Sequence, residues 1–293
     1  MPLVCLDDLR LNYQEQGNPK GSAVVFAHAL QTDLGLWDGV LPLLPQSLRL
    51  ICLDMRGHGQ SDTPPPPHAM GALIRDAERM MDHRRVRDAV LVGLSIGGMI
   101  GQGLALKRLD LIRGLVLSNT AAKIGTAEIW AARIEAVRAG GMEAIADSAM
   151  ARWFSRAFRF GPAFDAQRAC FLAQRPEGWA GCAAAIAGTD VCNTTASPTL
   201  PTLCLAGSAD GATPPDLVKE TADLIKGSRF GLIRGAGHLP PIDRPDAFAA
   251  AQDGFLANIA HVLIEHFDFR SSGTAAMNTP ASNHAFIRFS KIL

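Results

Sequence analysis

The chain has no excess of charge of either sign: Lys+Arg and Asp+Glu both total 28 of its 293 residues, a formal net charge of +0. That balance argues against capture of nucleic acid or an anionic membrane by bulk electrostatics and leaves a small molecule as the expected partner. No stretch reaches the roughly 20 apolar residues of a membrane-spanning helix. Met1 to Tyr13 sets acidic residues inside a short apolar run without a basic flank, so it does not read as a secretory signal. The six cysteines (Cys5, Cys52, Cys170, Cys182, Cys192 and Cys204) are scattered, with no Cys-x-x-Cys pair and no histidine at ligand spacing. Their scatter speaks against a zinc site or a disulfide framework, and for reduced, mostly buried thiols in the cytoplasm. What is abundant is apolar: 48% hydrophobic residues against 19% charged can build one substantial core.

Short apolar runs recur along the chain, each followed by a loop and a helical pattern: Ala23–Ala27, Leu48–Asp54, Ala89–Leu94, Ile112–Ser118, Thr202–Gly207 and Arg229–Ile233. This alternation predicts an α/β fold with a mostly parallel sheet flanked by helices. Leu9, Leu11 and Tyr13 alternate with polar residues, as in a half-exposed strand near the sheet edge. The rhythm lapses after Ala121, where Trp130, Ile134, Val137, Trp153, Phe154, Phe158 and Phe160 sit among alanines and arginines. We read residues 1–120 and 197–266 as the core and 121–196 as an inserted helical cap. Phe248, Ala251, Phe255 and Ile259 share one face of a final helix. Residues 267–293, rich in Ser, Thr, Asn and Ala, are expected to add little to the core.

Gly93-Leu94-Ser95-Ile96-Gly97 is a GxSxG motif directly after the strand Ala89-Val90-Leu91-Val92, with a helix expected to open at Gly98. That setting is a nucleophile elbow, in which the backbone turns sharply and small flanking residues let it approach its neighbours. A serine hydroxyl attacks at neutral pH only if an adjacent base takes its proton. His238, in the loop after the last predicted strand, fits that role. Asp210, after the preceding strand, would fix its tautomer and stabilise the imidazolium. Asp216 competes as the acid but reads as the cap of the next helix. His28 and His58 are expected to pack loops. The amides of Leu30 and Ile96 are the expected donors to an oxyanion. Among the cap arginines Arg133, Arg138, Arg152, Arg156 and Arg159, Arg133 stands out because Trp130 precedes it by three residues on one helix face.

From about Leu9 to Leu256 the sequence resembles the 3-oxoadipate enol-lactonases, members of the α/β-hydrolase superfamily. The likeness rests on Gln31-Thr32-Asp33-Leu34 with Trp37-Asp38, on Asp54 to Asp62 (DMRGHGQSD), and on Gly93 to Gln102. The cap is more specific: Ser118 to Gly125 (SNTAAKIG), Trp130, Arg133-Ile134, Arg152-Trp153-Phe154 and Gly181-Cys182-Ala183-Ala184. Gln31 departs from the pattern, standing where glycine is expected in the oxyanion loop, and the segment after about Phe267 has no counterpart. The resemblance implies a serine hydrolase without metal or organic cofactor, opening an anionic enol-lactone, with Arg133, Trp130 and Trp153 around the substrate. General carboxylesterases, cofactor-free perhydrolases and carbon–carbon hydrolases share the triad, and a small-molecule receptor of this fold is the alternative of another class.

Overall fold

In the computed structural model, which describes residues 3–6, 8–197 and 199–262, the apolar runs form the middle of one sheet. Its strands are β1 (Leu3–Leu6), β2 (Leu9–Gly17), β3 (Ala23–Ala27), β4 (Arg49–Leu53), β5 (Ala89–Leu94), β6 (Ile112–Ser118), β7 (Thr202–Gly207) and β8 (Arg229–Ile233), in the spatial order β1-β2-β4-β3-β5-β6-β7-β8. β1 and β2 run antiparallel to their neighbours, and the other strands are mutually parallel. All of β3, β5 and β7 is buried, because helices cover both faces; continuous apolar runs without alternation are the result. β2 is not the outermost strand: the short β1 pairs beyond it.

The helices are α1 (Met70–His83), α2 (Ile96–Lys107), α3 (Ala127–Gly140), α4 (Glu143–Trp153), α5 (Pro162–Leu172), α6 (Pro176–Ala187), α7 (Cys192–Thr195), α8 (Pro215–Leu224), α9 (Pro240–Asp243) and α10 (Pro245–Asn258). α1 buries Met70, Leu73, Ala77, Met80 and Met81, the helical spacing of an amphipathic face. α2 opens at Ile96 rather than Gly98, since the elbow turns within the single residue Ser95. Pro214, not Asp216, precedes α8. Asp216 lies in its first turn, where a carboxylate meets the positive end of the helix dipole. Trp37 packs between Phe26 of β3 (5.1 Å) and Phe248 of α10 (6.1 Å), its ring tilted to both, fastening the last helix to the sheet. Burial of each such side chain contributes about 2–3 kcal/mol.

Helices α3–α7 all lie between β6 and β7 in the chain. Thr126 caps α3, its hydroxyl accepting from the Ile129 amide. Trp130 packs near Trp179 of α6 (6.5 Å), and Trp153 meets Phe171 of α5 edge-on (5.5 Å). The carboxyl end of α4 lies directly on two loops of the sheet: Arg152 O accepts from Gly211 N at 2.9 Å and Trp153 O from His238 N at 2.6 Å. No helix among the described residues is long and apolar enough to cross a membrane. Of the six cysteines, all unpaired, Cys52, Cys182 and Cys204 are buried whereas Cys5 and Cys170 are exposed, so the thiols are less uniformly buried than expected.

Candidate active site

Every predicted catalytic residue lies at the carboxyl edge of the parallel strands. Ser95 follows β5, Asp210 follows β7 and His238 follows β8. Ser95 adopts φ 56° and ψ −117°, left-handed backbone that a non-glycine residue enters only under constraint. Crowding supplies the constraint. A Cβ on Gly93 would stand 2.3 Å from Gly97 O, and one on Gly97 would stand 2.1 Å from Ala27 O. Both glycines are therefore demanded by close backbone approach. Ser95 N donates to Ser118 O (3.0 Å), and Thr120 Oγ1 donates to Ser95 O (2.6 Å), pinning the elbow to the end of β6.

His238 Nδ1 and Asp210 Oδ2 are 2.9 Å apart and both residues are buried. Asp210 is fully engaged: Oδ1 accepts from the amides of Ala212 (2.7 Å) and Thr213 (3.1 Å), while Oδ2 also accepts from Thr213 Oγ1 (2.7 Å) and Asn119 Nδ2 (2.8 Å). Burial pushes its pKa up, but the charge and hydrogen bond of His238, with those of Asn119 and Thr213, outweigh it and hold the carboxyl below its ordinary value. An ionised Asp210 can only accept, which assigns the proton to Nδ1 of neutral His238 and leaves Nε2 as the basic nitrogen. Asn119 and Thr213 were not anticipated. Asn119 lies within the Ser118-Asn119-Thr120 string of the cap signature, and its role depends on a partner 91 residues away.

Leu30 and Gln31 are the central residues of a turn in which Thr32 N donates to Ala29 O (3.2 Å). Gln31 has φ 72°, the value that favours glycine at the third position of a type II turn. Two buried histidines build this loop. His58 Nε2 accepts from Gln31 N (3.1 Å) and its Nδ1 reaches Arg56 O (3.2 Å). His28 Nε2 accepts from Met55 N (3.0 Å) and its Nδ1 lies 2.7 Å from Ala29 O. Burial, then the neighbouring His28, lowers the His58 pKa to about 3, so it stays neutral and able to accept. Asp54 adds a further anchor, accepting from the amides of Leu34 and Gln60. Ile96, the first residue of α2, has an amide with no intrahelical acceptor.

Arg133 and Arg152 are half-buried, and among the described residues neither pairs with a carboxylate. Burial lowers the pKa of both, and the charge of Arg152 lowers that of Arg133 further. The Arg133 guanidinium lies 4.9 Å from the Trp130 ring, a cation–π contact. The other cap cations are taken or exposed: Lys123 pairs with Asp190 (3.0 Å) and Arg138 with Glu135 (2.7 Å), while Arg156 and Arg159 face solvent. Trp130 is buried, its Nε1 donating to Ile124 O. Trp153 lies 5.8 Å from the His238 ring. It also lines a cavity of about 260 Å³ together with Gln31, Phe171, Leu239, Asp33 and Asp38, which neither Trp130 nor Arg133 lines.

The alpha/beta hydrolase fold family matches residues 22–245. Two 3-oxoadipate enol-lactonases of Acinetobacter baylyi are 33% and 34% identical to this chain, each over 85% of it and 94% of the relative. The crystal structure of the enol-lactonase from Burkholderia xenovorans superposes with a TM-score of 0.84 at 32% identity, covering 87% of this chain and all of that one. A thermophilic esterase from Thermogutta terrifontis superposes with a TM-score of 0.81 at 30% identity, covering 86% and 94%. An elbow serine, a histidine–aspartate pair at the ends of the following strands, and these similarities place the chain in the α/β-hydrolase family, as a relative of the 3-oxoadipate enol-lactonases.

Proposed function

We propose that this hydrolase opens 3-oxoadipate enol-lactone with water to give 3-oxoadipate, in the β-ketoadipate route of aromatic catabolism. The observation that carries the substrate choice is the pair Arg133 and Arg152. Two half-buried guanidiniums without carboxylate partners are costly unless an anion meets them, and Arg152 belongs to the helix end seated on the Asp210 and His238 loops. The lactone carries one acetate carboxylate for these cations and one carbonyl for the serine. Trp153 would form an apolar wall beside His238 and Trp130 one beside Arg133.

Ser95 attacks the lactone carbonyl while His238 Nε2 takes its proton, and Asp210 stabilises the imidazolium. The amides of Leu30 and Ile96 hold the oxyanion. Collapse expels an enolate, a better leaving group than an alkoxide. Leaving and acyl groups belong to one molecule, so the opened enol stays close enough to attack back until tautomerisation to the ketone removes that nucleophile. Water activated by His238 then frees the product. The chain's own residues supply nucleophile and proton transfer, and the exposed thiols Cys5 and Cys170 fit a reducing, cytoplasmic setting.

The test is loss of the enol-lactone ultraviolet band, with a neutral aryl ester as control. Ser95→Ala should bind without turnover. Arg133→Ala and Arg152→Ala should raise KM for the lactone by roughly ten- to a hundredfold, the scale of a charge-assisted contact. A lactone left intact beside a rapidly cleaved ester would favour a carboxylesterase instead. One observation supports that reading: the cavity beside His238 is lined by Asp33 and Asp38 and by no cation.

A further inference from the structure

The residues Ser118-Asn119-Thr120, where β6 ends, hydrogen-bond to all three segments that carry the triad. Ser118 O accepts from Ser95 N (3.0 Å) and Thr120 Oγ1 donates to Ser95 O (2.6 Å), so the nucleophile is anchored by both neighbours of Asn119. Asn119 itself reaches the acid and the histidine loop. Its Nδ2 donates to Asp210 Oδ2 (2.8 Å) and to Gly237 O (3.2 Å), while its Oδ1 accepts from Ser118 Oγ (2.8 Å). A flipped amide would set its oxygen against a carboxylate and a carbonyl, both acceptors, so chemistry fixes this orientation.

Gly237 O belongs to the same peptide unit as His238 N, which donates to Trp153 O at 2.6 Å. That unit is therefore held at one end by the sheet, through Asn119, and at the other by α4. The backbone yields to the arrangement. Asn119 is fully buried and left-handed at φ 47°, a conformation that asparagine enters more readily than most residues and glycine more readily still. A Cβ on Gly207, at the end of β7, would stand 2.0 Å from Gly237 O, so glycine there makes room for the carbonyl. One amide thus fixes both the acceptor of the imidazole and the peptide from which the imidazole extends.

We propose that Asn119 is a positioning residue for proton transfer: by tying the Asp210 carboxylate to the Gly237–His238 peptide, it holds acid and base in register with the serine that its two neighbours anchor. This rests on Ser95, His238 and Asp210 acting together, not on which ester the protein takes. Without the amide, the carboxylate loses a donor that favours its charged form. The Asp210–His238 pair then keeps its proton to higher pH, and less of the enzyme offers a free Nε2. The charged groups on the elements packed here are Asp243 of α9 with Arg244 after it, Arg152 of α4, and the exposed Asp216 of α8. Asp243 accepts from Gly237 N and has its pKa pushed up by burial to about 6, so its titration has to be separated from that of the pair.

The experiment measures kcat/KM against pH for p-nitrophenyl acetate and for the enol-lactone in wild type, Asn119→Gly and Asn119→Ala. Glycine suits φ 47° and alanine keeps a packed Cβ, so either variant covers a folding failure of the other. Each should lose about ten- to a hundredfold at pH 7, the worth of one charge-assisted hydrogen bond, and its acid limb should move up by about one pH unit. The same shift should appear in an Asp243→Asn background. A merely structural role would lower Tm and the fraction of serine that reacts with diethyl p-nitrophenyl phosphate, leaving the limb in place. A limb within about 0.3 unit of wild type, a rate within about twofold, or failure of both variants to fold overturns the proposal. Turnover surviving in Ser95→Ala, or none in wild type on either substrate, removes the triad reading beneath it. An unshifted Asn119 variant beside an inert Ser95→Ala removes the role of Asn119 alone.

Discussion

The carboxyl of Asp243 serves the histidine loop at a cost. Its Oδ2 accepts from the amide of Gly237, next to His238, while Oδ1 is buried without a partner among the described residues. Burial raises its pKa from 3.8 to about 6. The folded protein therefore binds this proton more tightly than the unfolded chain does. The associated stability is fully present below pH 3.8 and is lost as pH rises through 6. At pH 8 the ionised group penalises the fold by up to about 3 kcal/mol. Asp243→Asn keeps an acceptor for Gly237 and removes the charge, so urea unfolding should find it more stable than wild type at pH 8, with the gain shrinking towards pH 4. A gain independent of pH would refute the assignment. At this scale the sequence revealed what local motifs encode. Ser95, Asp210 and His238 were legible from an elbow, two strand ends and their order. Asn119, Thr213 and the Gln31–Trp179 bond were not, because each role is completed by packing; Gln31 and Trp179 lie 148 residues apart.

Between elements, cap and sheet also meet backbone against backbone. A Cβ on Gly178, in the first turn of α6, would stand 2.0 Å from Gly57 O in the turn after β4. That contact seats α6 so that the next residue, Trp179, reaches Gln31. Gly178→Val should push α6 outward, costing about 1–3 kcal/mol and raising KM together with the loss in thermal stability. Gly71 in α1 has nothing within 4 Å of its missing Cβ, so Gly71→Ala should instead stabilise by about 0.5–1 kcal/mol without touching kinetics. If the two substitutions shifted Tm alike, the contact would not be what seats α6. The bounds of β3, β5 and β7 could be read directly, since strands buried on both faces are apolar throughout and stop at turns, and those of β6 and the part-buried β8 from shorter apolar runs between turns. β1 escaped notice because it is four residues long and half exposed at the edge, where neither run nor alternation develops. The start of α2 was misplaced because Gly97-Gly98 reads as a break, whereas close approach to β3 and Thr120 requires glycine inside the helix.

For the molecule as a whole, four buried histidines dominate the approach to acid. Burial lowers the pKa of His28, His58, His68 and His261 below the ordinary 6.5. The unfolded chain takes up protons that the folded one excludes, so their contribution is present above pH 6.5 and lost as pH falls towards the folded values. The urea midpoint should drop between pH 7 and pH 5. His58→Asn, which removes a titrating ring from under the oxyanion turn, should flatten that drop; an equally steep fall would shift the cause to other groups. The docking of α4 has a different consequence. The helices from Ala127 to Thr195 leave and re-enter the sheet between two neighbouring strands, which invites their exchange between relatives as a cassette. Yet two of their carbonyls, those of Arg152 and Trp153, receive the amides of Gly211 and His238. A chimera can trade nearly everything between the junctions and still work, provided the transplanted segment presents those two oxygens in register; shift them by one residue and the donor's substrate preference arrives without the recipient's histidine in place.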